Sequence, residues 1–167
     1  MDRVNKIINH PLYKKELDKI TELEKERIYC KHTLEHFLDV ARLMYIFSLE
    51  NNQKIEKDII YGTALLHDIG RAKEYLEGIP HEVASIEIGN LILPDCSYKK
   101  EEIFLIKEAI KEHRGQAAIK KLSLDKSSII LQQLLKKADK LTRNCFACAA
   151  ESSCKWDEQK KNKRISY

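Results

Sequence analysis

A chain of 167 residues with 34% charged side chains and a formal net charge of +4 is long enough for one domain with a real core, burying roughly 70% of its unfolded surface. The charge is mostly mixed Lys/Glu, so nucleic-acid binding is not implied, and the small basic excess fits an anionic small-molecule partner. No apolar run reaches the ~18 residues that span a bilayer, the opening MDRVNKIINH lacks the apolar stretch of a signal peptide, and five cysteines read as thiols or metal ligands of a reducing compartment; the expected location is cytoplasmic.

With only 5 Gly and 3 Pro, helical periodicity dominates, and no alternating strand pattern, repeat or flexible linker interrupts it. The expected fold is all-α, a single domain over 1–167. Pro11 opens a helix of roughly 11–27, capped near Asn9 or His10. Its periodic Leu12, Leu17, Ile20 and Leu23 suit either intramolecular packing or the seam of a homodimer. A second helix of about 29–50 presents His36, Phe37, Val40, Ala41, Met44 and Phe47 on one stripe. A third, about 55–69, aligns Ile60, Ala64 and His67, with Gly70 as its C′ stop. A loop follows over 71–80. The fourth helix starts near Pro80, turns His81, Ala84, Ile88 and Leu91 inward, and ends before Pro94. The fifth, about 99–113, lines up Ile106, Ala109, Ile110 and His113. After 115–124, which has no clear periodicity beyond a short helix, the sixth covers about 125–146 with Leu131, Leu135, Asp139 and Thr142 in line. The polar tail 155–167 reads as a solvated face.

His36, the pair His67-Asp68, His81, His113 and Asp139 therefore fall on apolar helix faces. Ionisable residues are rarely placed there without a partner that requires them. A set made only of His and Asp has the chemistry of a site for divalent Fe, Mn, Zn or Ni. A carboxylate has two oxygens, so one Asp can bridge two ions. Two ions roughly 3.5–4 Å apart clamp a phosphate ester and acidify water, without a Ser or Cys nucleophile.

The ordered set His36, His67-Asp68, Asp139, with its strings HFLDVA (36–41), LLHDIG (65–70) and KADK (137–140), resembles the HD-domain metal-dependent phosphohydrolase superfamily. His81 in HEVASIEIG and His113 in AIKEHRG resemble its two-metal branch, which includes symmetrical diadenosine tetraphosphate hydrolases and cyclic-dinucleotide phosphodiesterases. The resemblance spans about 28–143, with the helix 11–27 before it and a Cys-containing extension, 144–167, after it. It implies a helical bundle with two divalent transition metals, Fe or Mn first and Ni, Zn or Mg as alternatives. One metal would take His36, His67, Asp68 and Asp139; the other His81, His113 and a bridging oxygen of Asp68. The implied reaction cleaves a phosphate ester or anhydride of a nucleotide-like substrate through a metal-bridging hydroxide. Arg71 stands where the family often has Lys, and with Arg114 and Lys140 it is a candidate for gripping phosphate. The competing readings are a surface pair of Arg71 with Glu74 or Glu77, and solvated Arg114 and Lys140. His32, one turn before His36, lies outside the family's ligand set and is read as a neighbour of the metal site. Two other functions share the ligand set: a di-iron oxygenase and a non-catalytic nucleotide sensor.

The spacing Cys145-x2-Cys148-x5-Cys154 gives three ligands of a zinc or iron–sulfur pattern. Cys30 is the candidate fourth, with His32 within reach as an alternative. Cys30 precedes His36 by six residues as Cys145 follows Asp139 by six. Were both on antiparallel helices meeting at the metal, each would lie about 9 Å from it in the same direction. Buried free thiols are the alternative.

Overall fold

A computed structural model describes residues 1–112 and 126–167. The described residues form eight α-helices and no strand: α1 Asp2–Asn9, α2 Pro11–Leu23, α3 Leu34–Glu50, α4 Lys57–Leu66, α5 Arg71–Glu77, α6 His81–Asp95, α7 Lys100–Glu112 and α8 Lys126–Leu141. Three short 3₁₀ turns follow, Cys145–Ala147, Glu151–Ser153 and Glu158–Lys160. None of the described helices is long and apolar enough to cross a membrane.

The core is organised on α4, which buries Ile59, Ile60, Thr63, Ala64, Leu65 and Leu66. It can be buried on nearly every side because it carries little charge beyond its first turn, and its Thr63 hydroxyl donates back to the Ile59 carbonyl at 2.8 Å. Against it lie α3, α7, α1 and α6. The stripe Phe37, Val40, Ala41, Met44 and Phe47 of α3 is fully buried, as the period of 3.6 requires. From α7 come Ile106, Ala109 and Ile110; from α8, Leu131, Leu134, Leu135 and Ala138. Each large side chain so buried contributes about 1.5–3 kcal/mol.

Several boundaries differ from the sequence reading, each for a local reason. The N-terminal α1 was not expected. It buries Val4 and Ile7, and Arg3 anchors it on Glu102 at 2.7 Å and Asp58 at 3.2 Å. The second helix begins at Leu34, not near 29. Thr33 caps it through an Oγ1 that accepts the His36 N–H at 3.3 Å. The preceding chain is drawn out of helix by Glu24, whose carboxylate accepts the His32 N–H at 2.6 Å. Gly70 is not a left-handed stop, for its φ is −82°. It is needed for close approach: a Cβ there would stand 2.4 Å from the His81 carbonyl oxygen and 2.5 Å from the Ser85 nitrogen. The expected loop 71–80 is mostly helix α5, closed by Gly78 at φ 72°. Pro94 lies inside the last turn of α6. Leu91 of that helix faces solvent and Ile92 takes the inward place. The last long helix ends at Leu141 rather than 146. There Thr142 Oγ1 donates to the Asp139 carbonyl, and Arg143 Nε and Asn162 Nδ2 donate to that of Lys140, satisfying terminal acceptors that a further turn would have used.

Candidate metal centre

His67 closes α4, and Asp68 follows in the tight turn before α5. That turn is pinned to α6 by the Gly70 N–H donating to Ser85 Oγ at 2.9 Å. His36 comes from the first turn of α3 and Asp139 from the last turn of α8. Their ligand atoms, one from each of His36, His67, Asp68 and Asp139, all lie within 4.8 Å of one another. His67 Nε2 is 3.4 Å from Asp68 Oδ2 and 3.8 Å from Asp139 Oδ1, and His36 Nε2 is 3.6 Å from Asp139 Oδ1. His67 and Asp68 are buried, whereas the Asp139 side chain is 37% exposed. The cluster thus has a closed floor and one side reachable from solvent.

Neighbouring groups hold the imidazoles in the right tautomer. His67 Nδ1–H donates to the Ala64 carbonyl at 2.7 Å, which leaves the Nε2 lone pair facing the carboxylates. Thr142 Oγ1 already donates to a carbonyl, so at 3.4 Å it accepts from His36 Nδ1–H and leaves Nε2 for the cluster. Electrostatically the site attracts positive charge. Burial works against a charged His67, yet Asp68 and Asp139 override it and raise its pKa. Burial likewise opposes a charged Asp139, but the hydrogen bond and charge of His67 hold it at about 2. His36, desolvated and next to the positive His67, is pushed down to about 4. A bound cation would replace the proton on His67. The donor set of two imidazoles and two carboxylates, neutral or anionic as required, fits a divalent ion.

Around Asp68 the structure gathers more than the four ligands. His81 Nε2 lies 3.1 Å from Asp68 Oδ1, on the oxygen opposite the one nearest His67. The other ring nitrogen of His81 is met by Glu74 at 3.1 Å and Glu82 at 3.3 Å, the carboxylate–histidine arrangement that orients metal-binding imidazoles. Arg71 is not a surface residue. It is only 6% exposed and spans Asp68 at 3.1 Å and Glu74 at 2.7 Å. Lys140 is exposed beside Asp139. His113 and Arg114 lie outside the described residues, as do 115–124.

Sequence reasoning overlooked Glu24. Its carboxylate sits just past α2 and is 3% exposed. It contacts His32 Nδ1 and the Tyr75 hydroxyl, each at 2.5 Å, while His32 Nε2 reaches Asp68 Oδ2 at 3.3 Å. A chain Tyr75–Glu24–His32–Asp68 results. Burial opposes the charge on Glu24, but the ring and backbone of His32 with the Tyr75 hydroxyl hold its pKa at about 2. The available signal was spacing: Glu24 follows the buried Ile20 by one helical turn.

Imidazoles and carboxylates converging from α3, α4 and α8 define an all-α protein with a candidate divalent-metal centre. A family model described as HD domain matches residues 33–144, and the chain belongs to the HD domain family. An uncharacterized protein of Clostridium beijerinckii is 44% identical over the full length of both chains. In fold the chain is similar to a crystal structure from an uncultured Thermotogales bacterium, described as a predicted HD superfamily hydrolase. That likeness has a TM-score of 0.60 at 19% identity and covers 92% of this chain and 81% of the other.

Proposed function

We propose that this protein is a metal-dependent phosphohydrolase that cleaves a phosphate ester or anhydride in a nucleotide-like substrate. The observation that carries this reading is the convergence of His36, His67, Asp68 and Asp139 to within 4.8 Å, in the chain order of the HD family. These four would hold one divalent ion, with Fe or Mn preferred. A second would be held by Asp68, His81 and His113. Supporting it, Asp68 has one oxygen toward His67 and the other toward His81. Bound ions of this kind supply Lewis-acid charge to a phosphoryl oxygen and make water acidic enough to react at neutral pH.

The chain's own groups then position and select. His32 and Arg71 fix the Asp68 carboxylate in one orientation. Buried and held by two carboxylates, Arg71 is assigned this positioning role in place of phosphate contact. Glu74 and Glu82 orient His81, Thr142 orients His36, and the Ala64 carbonyl orients His67. Substrate would enter on the side where Asp139 is accessible, and the exposed Lys140, next to Asp139 in sequence, is a candidate for attracting its anionic group. Arg114, beside His113 in sequence, is a second candidate for that attraction.

The test is elemental analysis of protein purified without chelator, then a panel of nucleotides, dinucleotides and generic phosphodiesters with Mn, Fe, Ni and Mg. Phosphate release that requires metal and disappears in Asp68→Asn is the expected result. A fully metallated protein that hydrolyses none of these would refute the proposal, and oxygen uptake by the iron form would point to oxygenase chemistry.

A further inference from the structure

A second concentration of metal-ligating side chains lies where the chain enters α3 and where it leaves α8. Cys30, Cys145, Cys148 and Cys154 all line one cavity of about 260 Å³, together with Ile28, Trp156 and others. Neither segment is the helix that the sequence reading assumed. Cys30 lies in the irregular stretch before Thr33, and Cys145 starts a 3₁₀ turn. Successive turns nonetheless carry Cys145, Cys148 and Cys154 along the wall of the cavity that Cys30 also lines. The Cys148 N–H donates to the Cys145 carbonyl at 3.2 Å, that of Glu151 to Cys148 at 3.1 Å, and that of Cys154 to Glu151 at 3.2 Å.

The segment that carries three of these cysteines has no core of its own. No residue from 142 to 167 is buried. Its course is held by the Tyr29 hydroxyl on the Ser153 carbonyl at 3.2 Å, by Asn162 on the end of α8, and by Lys161 on Glu151 at 3.0 Å. Small irregular segments of this kind take their stability from a crosslink or a metal where apolar burial is lacking. None of the five cysteines is in a disulfide. The Arg143 guanidinium stacks on Trp156, 4.4 Å from the ring centre, and Trp156 lines the same cavity as the four cysteines.

We propose that Cys30, Cys145, Cys148 and Cys154 jointly bind a four-thiolate metal centre that clasps the C-terminal segment to the loop before α3. The spacing favours an iron–sulfur cluster over a single zinc ion. Zinc draws four sulfurs to about 2.3 Å from itself, hence about 3.8 Å apart. Among the described residues, however, the group whose ligand atoms lie within 4.8 Å is the His/Asp set and not the cysteines. A cluster, with iron and sulfide between the four thiolates, bridges a wider gap.

Metal and acid-labile sulfide are to be measured in the full chain purified without oxygen, beside Asp68→Asn, Cys148→Ser and Cys96→Ser. The expected result is iron with matching sulfide, retained in Asp68→Asn and Cys96→Ser and lost in Cys148→Ser. About one zinc per chain with the same pattern of loss keeps the four-thiolate site and assigns it to zinc. Should Cys148→Ser fail to fold, alkylation of the native wild-type protein decides. Four thiols should become reactive only after metal removal. Equal metal and sulfide in a folded Cys148→Ser, or thiol reactivity that ignores metal removal, overturns the proposal.

Discussion

The His/Asp cluster and the cysteine cavity are built on opposite plans. In the first, every residue of the cluster stands on or beside a helix whose inner face is packed: Phe37 lies beside His36, and Ala64 and Leu66 precede His67 at the end of α4. The side chains are placed by the core, and a cation would find them waiting. In the second, four cysteines line one cavity from loops and 3₁₀ turns, with no buried residue after Leu141. Helical packing can fix a site in advance; turns without a core depend on what they bind.

The sharpest way to break this contrast is Asp68→Asn. It removes charge from the carboxylate shared by His32, His67, Arg71 and His81. Hydrolysis should fall by at least about 100-fold and metal at the His/Asp site should be lost, as elemental analysis and phosphate release would show. Phe37→Ala comes next. The ring is fully buried, 5.5 Å from the His67 ring centre, so denaturant unfolding should show a loss of about 3–5 kcal/mol. A value below about 1 kcal/mol would mean that the core does not frame the site. Glu24→Gln tests the neighbours of the ligands and should lower metal affinity about 10–100-fold with the fold retained, by titration of metal into stripped protein.

Acid offers a related measurement. Glu24 is held at about 2 in the folded state, below its ordinary value near 4.3. Its contribution to stability is complete above the unfolded value and is lost as pH falls from about 5 through about 2. The wild-type protein should therefore lose more stability over that range than Glu24→Gln. The smallest effect belongs to the other region. Phe146→Ala removes a ring that is 44% exposed and should change stability by less than about 0.5 kcal/mol.

The helical class and the main stripes were legible because burial imposes a period of 3.6, and α3 and α8 show it plainly. That His36, His67, Asp68 and Asp139 would share inward-facing positions was legible for the same reason. What escaped was set by contacts distant in sequence. The arrest of α2 at Leu23 depends on Glu24 turning to His32 and Tyr75. Gly70 resembles a helix stop in sequence, yet its lack of a side chain serves the approach of α6. The pairing of Arg71 with Asp68 follows from α5 starting one residue after Gly70, where a loop was expected.

The Tyr75–Glu24–His32–Asp68 chain also bears on where this domain begins. The matched family region starts at residue 33, but Glu24, Cys30 and His32 all precede it. An expression fragment trimmed to that boundary would keep the four residues of the His/Asp cluster and Arg71 but discard Glu24 and His32 behind Asp68, along with one wall of the cysteine cavity. The contacts that reach Asp68 in this chain therefore begin upstream of the matched family region, at the end of α2.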